Sequence, residues 1–319
     1  MSAHSLNPAQ HLSAEMRHLI ERIQRAGHPP MQAMTVEQAR AFYEAGAPLL
    51  DLPPPKIVRC EDLILEGASG LEVKARLYAD AVGTPLPVLV YFHGGGFTIG
   101  SPATHDVLCR HLSRLAQCAV ISVDYRRAPE HRFPTAVDDA WSALCTVRKR
   151  AQRWGLDAHR IAVGGDSAGG TLAAVCAHLA RDVHWPLALQ LLFYPGTTSH
   201  QDTASHRRFG HGFMLDSETI AWFFDQYIAP EMRQDWRFAP LNAPDHGGLA
   251  PAWIGLAECD PLVDEGVAYA DALRMAAVAV DLEIYRGVVH GFVNMGRYVP
   301  QAMTAHQDAA RALRKAFGS

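Results

Sequence analysis

The six cysteines of this 319-residue chain, Cys60, Cys109, Cys118, Cys145, Cys176 and Cys259, include no C-x-x-C pair. Zinc-site and redox spacings are therefore missing, and a disulfide framework is not expected in a chain of this size. No metal or organic cofactor is implied. Long apolar runs are also lacking, since nothing approaches the ~20 residues that span a bilayer. The opening Met1-Ser2-Ala3-His4 lacks the basic region and apolar run of a secretion signal. The expected compartment is the cytosol, with no membrane partner. Charge of one sign is scarce as well: 29 Lys and Arg stand against 33 Asp and Glu, with no long basic or acidic block. That excludes a nucleic-acid surface and an acidic tail. No internal repeat or low-complexity tract is visible.

What is present is a composition 49% hydrophobic and 19% charged, enough for a large buried core. Residues 1–55 read as helical, with Leu12, Met16, Leu19, Ile20 and Ile23 on one face and a second stretch from Thr35 to Ala45. Pro53-Pro54-Pro55 then acts as a boundary. From residue 56 to 319 the pattern turns to strands alternating with helices. The strands are expected at Ile57–Glu66, Leu71–Asp80, Val88–Phe92, Ala119–Val123, Ile161–Val163, Ala188–Phe193, Trp253–Leu256 and Leu282–Tyr285. The first two form a hairpin around a Gly67–Gly70 turn. Helices are expected at Thr135–Arg153, Ala168–Arg181 and Asp264–Ala276. This alternation predicts an α/β fold, a mostly parallel eight-stranded sheet covered on both faces. The stretch at about 196–248 interrupts it with loops around a helix, Asp216–Ile228, that Asp216 is placed to cap. With Phe209, Phe213, Met214, Trp222, Phe223 and Phe224 it fits either a lid or ordinary packing on the sheet.

Four signals carry chemistry. Gly165-Asp166-Ser167-Ala168-Gly169 follows a strand and opens an alanine-rich helix, as a nucleophile on a strained strand-to-helix turn requires. A helix-capping serine in a glycine-rich turn is the bland alternative. His93-Gly94-Gly95-Gly96 follows the strongest strand, and its bare backbone suits an oxyanion site. The donors are expected from Gly95, Gly96 and Ala168, with His93 anchoring the loop. Asp260, at a strand end before Pro261, can orient a histidine, and Asp-Pro is also good helix-capping chemistry. His290 lies in a loop after the last strand. The order Ser167, Asp260, His290 matches the chain order of Ser-Asp-His hydrolases, with every element at the carboxyl end of a strand.

With these stretches the chain resembles the hormone-sensitive lipase family of α/β-hydrolases, in its microbial branch with a G-D-S-A-G elbow. The matching segments are His93–Gly96, Asp124-Tyr125-Arg126-Arg127-Ala128-Pro129-Glu130, Gly165–Gly170, Asp260–Gly266 and His290-Gly291-Phe292. The resemblance implies the α/β-hydrolase fold, a Ser167–Asp260–His290 triad and an oxyanion hole from Gly95, Gly96 and Ala168. It further implies a cap built from the N-terminal helices and the insertion after Gly196, favouring the lid reading. Arg126, Arg127 and Glu130 are expected to support the glycine loop through ion pairs and backbone contacts. The implied activity is hydrolysis of short- to medium-chain esters of small molecules, without a cofactor. A lactonase, amidase or acyltransferase can use the same residues. A ligand-binding relative, such as a plant hormone receptor of this kind, lacks the histidine that His290 supplies. An edge strand leaves a homodimer open.

Overall fold

The computed structural model describes residues 10–67, 70–81 and 85–318. Within them the chain begins with α1 (Ala14–Ala26) and α2 (Val36–Leu50), joined through a short 3-10 turn. The Ser13 hydroxyl caps α1 by accepting from Met16 N–H, and Thr35 and Gln38 form a reciprocal capping box at the start of α2. The second helix runs past the expected Ala45 to Leu50 and carries Pro48 in its last turn.

β1 (Arg59–Glu66) and β2 (Glu72–Ala79) pair antiparallel. Of the turn expected between them, Ala68 and Ser69 lie outside the described residues, as do the first nine residues. There follow β3 (Leu86–Phe92), α3 (Asp106–Ala116), β4 (Ala119–Asp124), α4 (Thr135–Arg150), β5 (Leu156–Asp166), α5 (Ala168–Asp182) and β6 (Gln190–Phe193). The insertion contributes α6 (Ala204–Phe209) and α7 (Ser217–Tyr227). The chain then completes β7 (Ala252–Cys259), α8 (Val263–Met275), β8 (Val280–Val289) and α9 (Pro300–Phe317).

These eight strands form one sheet in the order β1-β2-β4-β3-β5-β6-β7-β8, with β2 antiparallel to both its neighbours and every other pair parallel. Every residue of β3 is buried, which is why that strand reads as an unbroken apolar run. α3 packs with α9, and α4 packs with α5. α5 is buried on nearly all sides, and its small residues let it lie close to the sheet: a Cβ on Gly169 would stand 1.9 Å from the Phe92 carbonyl oxygen.

One expected local feature is not found. Asp216 occupies the N-cap position of α7 but makes no side-chain cap; its carboxylate accepts from Gly212 N–H at 2.9 Å instead. The preceding Gly212, at φ 83°, turns the chain back so that this closer donor takes the carboxylate. None of the described helices is long and apolar enough to cross a membrane.

Candidate active site

β5 ends at Asp166 and α5 begins at Ala168, so Ser167 alone makes the turn. It does so at φ 54°, ψ −122°, a region that a side chain rarely adopts. Such a conformation persists only where surrounding contacts over-determine it. Ser167 N–H donates to Phe193 O at 2.9 Å, while its own carbonyl accepts from Thr171 N–H at 3.1 Å and Gly196 N–H at 3.4 Å. Ser167 stands at the N-cap position of α5 without capping it. Its Oγ lies 2.8 Å from His290 Nε2.

His290 follows β8, and its Nδ1 lies 2.7 Å from Asp260 Oδ2. Asp260 is fully buried, and its other oxygen accepts from Leu262 N–H at 2.8 Å. The helix after it starts only at Val263, with Leu262 at the N-cap. Asp260 is thus not the helix cap that Asp-Pro suggested; its carboxylate closes the tight turn before the helix and holds the histidine at once. Tyr194, just past β6, packs its ring 4.5 Å from the His290 ring. Three residues far apart in sequence therefore form one hydrogen-bonded line at the carboxyl ends of β5, β7 and β8.

The glycine loop stands beside them. Gly95 and Gly96 take φ 116° and 57°, and among the described residues neither N–H is given to a protein acceptor. Ala168, first in its helix, has a free N–H for the ordinary reason that a first turn lacks partners. All three residues line the same cavity as Ser167 and His290. Gly94 N–H donates to Asp166 Oδ1 at 2.9 Å, and a Cβ there would stand 2.3 Å from Oδ2. Asp166 also accepts from Tyr91 Oη at 2.7 Å and pairs with His105 Nε2 at 3.1 Å. Burial raises its pKa, but the charge and hydrogen bond of His105 and the Tyr91 hydroxyl outweigh it and hold the carboxyl below its ordinary value. Gly165 needs its bareness too, since a Cβ would meet Gly169 and Phe92 backbone within 2.5 Å.

His93 is fully buried and does not line the cavity with Ser167. Its buried Nδ1 donates to Gly94 O at 2.8 Å, its ring stacks on Tyr125 at 4.3 Å, and burial depresses its pKa to about 3. It is a neutral brace for the loop. The Asp124–Glu130 segment braces it from outside. Arg127 donates to Gly100 O, and Ala128 N–H donates to Phe97 O. Arg126 grips the buried Asp139, and Glu130 pairs with Arg40 of α2.

The cavity has a volume of about 520 Å³. The stretches expected to form a cap both supply walls, through Leu19 and Phe42 on one side and Ile220 and Phe223 on the other. Phe223 lies directly over the oxyanion candidates, because a Cβ on Gly96 would fall 2.2 Å from its ring. Sequence reasoning named Phe223 only as part of an apolar stretch, and it missed Tyr91, His105, Tyr194 and the buried Glu265. Asp166 inside the elbow was a usable pointer to the first two, since a buried carboxylate needs donors.

Comparison with known proteins places these features in context. A family model described as "alpha/beta hydrolase fold" matches residues 89–294. The chain is 40% identical to an ethyl acetate hydrolase of Pseudomonas putida, over 93% of its own length and 95% of that protein's. It is 42% identical to the carboxylesterase NlhH of Mycobacterium tuberculosis, covering 88% of this chain and 90% of that one. Among solved structures, an ester hydrolase from the metagenome of Lake Arreo, complexed with a bipyridine phosphonate derivative, superposes with a TM-score of 0.93. That pair is 37% identical, over 97% of this chain and all of the other.

Proposed function

The chain belongs to the hormone-sensitive lipase-like family of α/β hydrolases, and we propose that it is a carboxylic ester hydrolase acting through Ser167, His290 and Asp260. The observation that carries this reading is the unbroken line from Asp260 Oδ2 through His290 to Ser167 Oγ, at 2.7 and 2.8 Å. Asp260 accepts a hydrogen bond from Nδ1–H, which keeps that proton on Nδ1 and leaves the Nε2 lone pair facing the serine hydroxyl. That is the tautomer a general base needs. As Oγ attacks the ester carbonyl, Nε2 takes its proton, and the buried carboxylate stabilises the imidazolium that forms. The carbonyl oxygen, now negative, turns to the N–H groups of Gly95, Gly96 and Ala168. The same imidazolium protonates the departing alcohol, and water repeats the sequence to free the acid and Ser167.

The two wall segments, residues 10–50 and the insertion at 196–248, act as a cap over this line. Their apolar side chains favour an acyl group of short to medium length, for which a cavity of about 520 Å³ gives room. The test is hydrolysis of p-nitrophenyl esters of rising acyl length by the wild type and Ser167→Ala. The variant is expected to lose about 10⁶ in kcat while keeping its fold. Turnover surviving in it would overturn the triad, and a wild-type optimum at long chains would overturn the pocket reading.

A further inference from the structure

One buried acid stands outside the proposed chemistry yet reaches the nucleophile turn. Glu265, on the first turn of α8, is 2% exposed and shares the cavity wall with Ser167. Its Oε1 accepts from Thr197 N–H at 2.6 Å and Thr198 N–H at 3.2 Å. Oε2 accepts from the Thr198 hydroxyl at 3.1 Å. The Thr197 hydroxyl returns a bond to Glu265 O at 2.9 Å. Glu265 thus grips the segment after β6 by both its backbone and its side chains. The residue before that grip, Gly196, takes the Thr171 hydroxyl on its carbonyl at 2.6 Å and gives its N–H to Ser167 O.

We propose that Glu265 is a positioning residue for the reaction, fixing Gly196 and Thr171 against the Ser167 main chain and so setting the aim of Oγ. This rests on the reading of Ser167 as the nucleophile. A serine held at φ 54° relaxes unless its neighbours prevent it, and two of the three backbone bonds to Ser167 come from residues that this grip joins. The acid works without a cation. The titratable groups around it are His206 from α6, with Nε2 3.8 Å away and otherwise unpartnered among the described residues, and Asp260 and Asp264 from its own loop and helix. Burial, its largest influence, pushes the Glu265 carboxyl up to about 8, so at neutral pH it holds a proton. With that proton on Oε2 the bond to Thr198 runs the other way, Oε2–H donating to the hydroxyl oxygen while the hydroxyl gives its hydrogen to His200 O at 3.2 Å. A glutamine reproduces that form: its carbonyl accepts from the same two amides, and its NH₂ donates to the Thr198 oxygen.

The experiment measures kcat and KM separately on p-nitrophenyl butanoate for the wild type, Glu265→Ala, Glu265→Gln, Thr171→Val and Ser167→Ala. Alongside these runs the rate of inactivation by a p-nitrophenyl phosphonate, which reads attack by the serine alone. Glu265→Ala is expected to lose about tenfold to a hundredfold in kcat and in phosphonylation rate, with KM little changed. Glu265→Gln should stay close to the wild type at pH 7. Thr171→Val, which cuts the link downstream of the acid, should lose about tenfold in kcat at constant KM. A folded Glu265→Ala with wild-type kcat, or a Glu265→Gln as slow as the alanine variant, overturns the proposal. So does an unimpaired Thr171→Val, which decides the matter even where Glu265→Ala does not fold. Retained activity in Ser167→Ala would instead strike the nucleophile assignment itself, so the two failures are separable.

Discussion

At the scale of single residues, the site depends on side chains that are missing as much as on those that are present. Gly96 combines a positive φ with the Phe223 ring 2.2 Å from where a Cβ would sit, so an alanine there meets strain and collision together. Gly96→Ala is expected to lose about 10²–10³ in kcat, as when an oxyanion donor is displaced. Adding Phe223→Ala should recover part of that loss, because it removes the collision and leaves the strain. No recovery in the double variant would mean that the ring does not press on the loop. The glycines themselves were legible in sequence, since three in a row after an apolar strand leave little else to explain. Phe223 was not, because it reaches the loop from the other side of the cavity and its own helix gives no sign of which ring faces inward.

Among the elements, α2 shows how a helix with little buried surface is held in place. Ala39 is its only buried residue, yet Arg40 ties it down by donating to Thr98 O and Ala128 O, with Glu130 paired at 2.7 Å. At the other end of the helix Arg297 binds the carbonyls of Pro48, Leu50 and Asp51 through its side chain and backbone. Hydrogen bonds from a charged donor are each worth about 1.5–3 kcal/mol when little exposed. Arg40→Ala is therefore expected to loosen α2, raising KM for p-nitrophenyl butanoate more than it lowers kcat and speeding protease cleavage before Asp51. Unchanged KM and protease resistance would show that α2 is seated by other contacts. All eight strands were legible: the buried parallel strands, β3 above all, leave short apolar runs, and the antiparallel β1 and β2 are marked by the glycines of the turn between them. Their ends were less so: Ile161–Val163 proved to be the middle of β5, which opens on Leu156, runs through the polar Asp157, His159 and Arg160, and pairs irregularly with β3. The seat of α2 left no trace in periodicity, as it depends on one arginine meeting distant carbonyls.

Over the whole molecule, buried titratable groups set opposing pH dependences. His93, His178 and His306 are each depressed to about 3, chiefly by burial, against an ordinary 6.5. Between those values the unfolded chain binds more protons, so these three make stability rise with pH up to about 6.5. Asp51 and Glu265 act the other way. Raised by burial to about 6 and about 8, they keep protons that the unfolded chain releases, and stability falls as pH climbs through each window. Below pH 6 these histidines, joined by His111, His206 and His246, which burial also lowers, oppose the two carboxyls and the more weakly raised Asp124 and Asp138. From about pH 6.5 to 7.5 Glu265 is the main group left, before the buried cysteines, raised from their ordinary 9.0, begin to add to the alkaline loss. Thermal unfolding across pH 4.5–7.5 is expected to show a Tm maximum near pH 6–7, and Glu265→Gln should flatten the fall on its alkaline side alone. A variant that still falls on that side would place the alkaline loss elsewhere. The order of the catalytic candidates was legible at this scale, whereas the wedging of Glu265 behind the nucleophile turn was not. Its Asp-Glu-Gly setting reads as an ordinary helix start.

The opening helices rest on the far end of the chain: Ser13 N–H bonds Gly287 O in β8, and Arg297 clasps the last turn of α2. During synthesis, then, this segment leaves the ribosome early and finds its berth late. Until β8 and the loop beyond it have emerged, the buried face of α1, with Met16, Leu19 and Ile20, lacks the strand it packs on. Translation that stalls before His290 leaves the opening helices without these late bonds and Ser167 without the imidazole beside it.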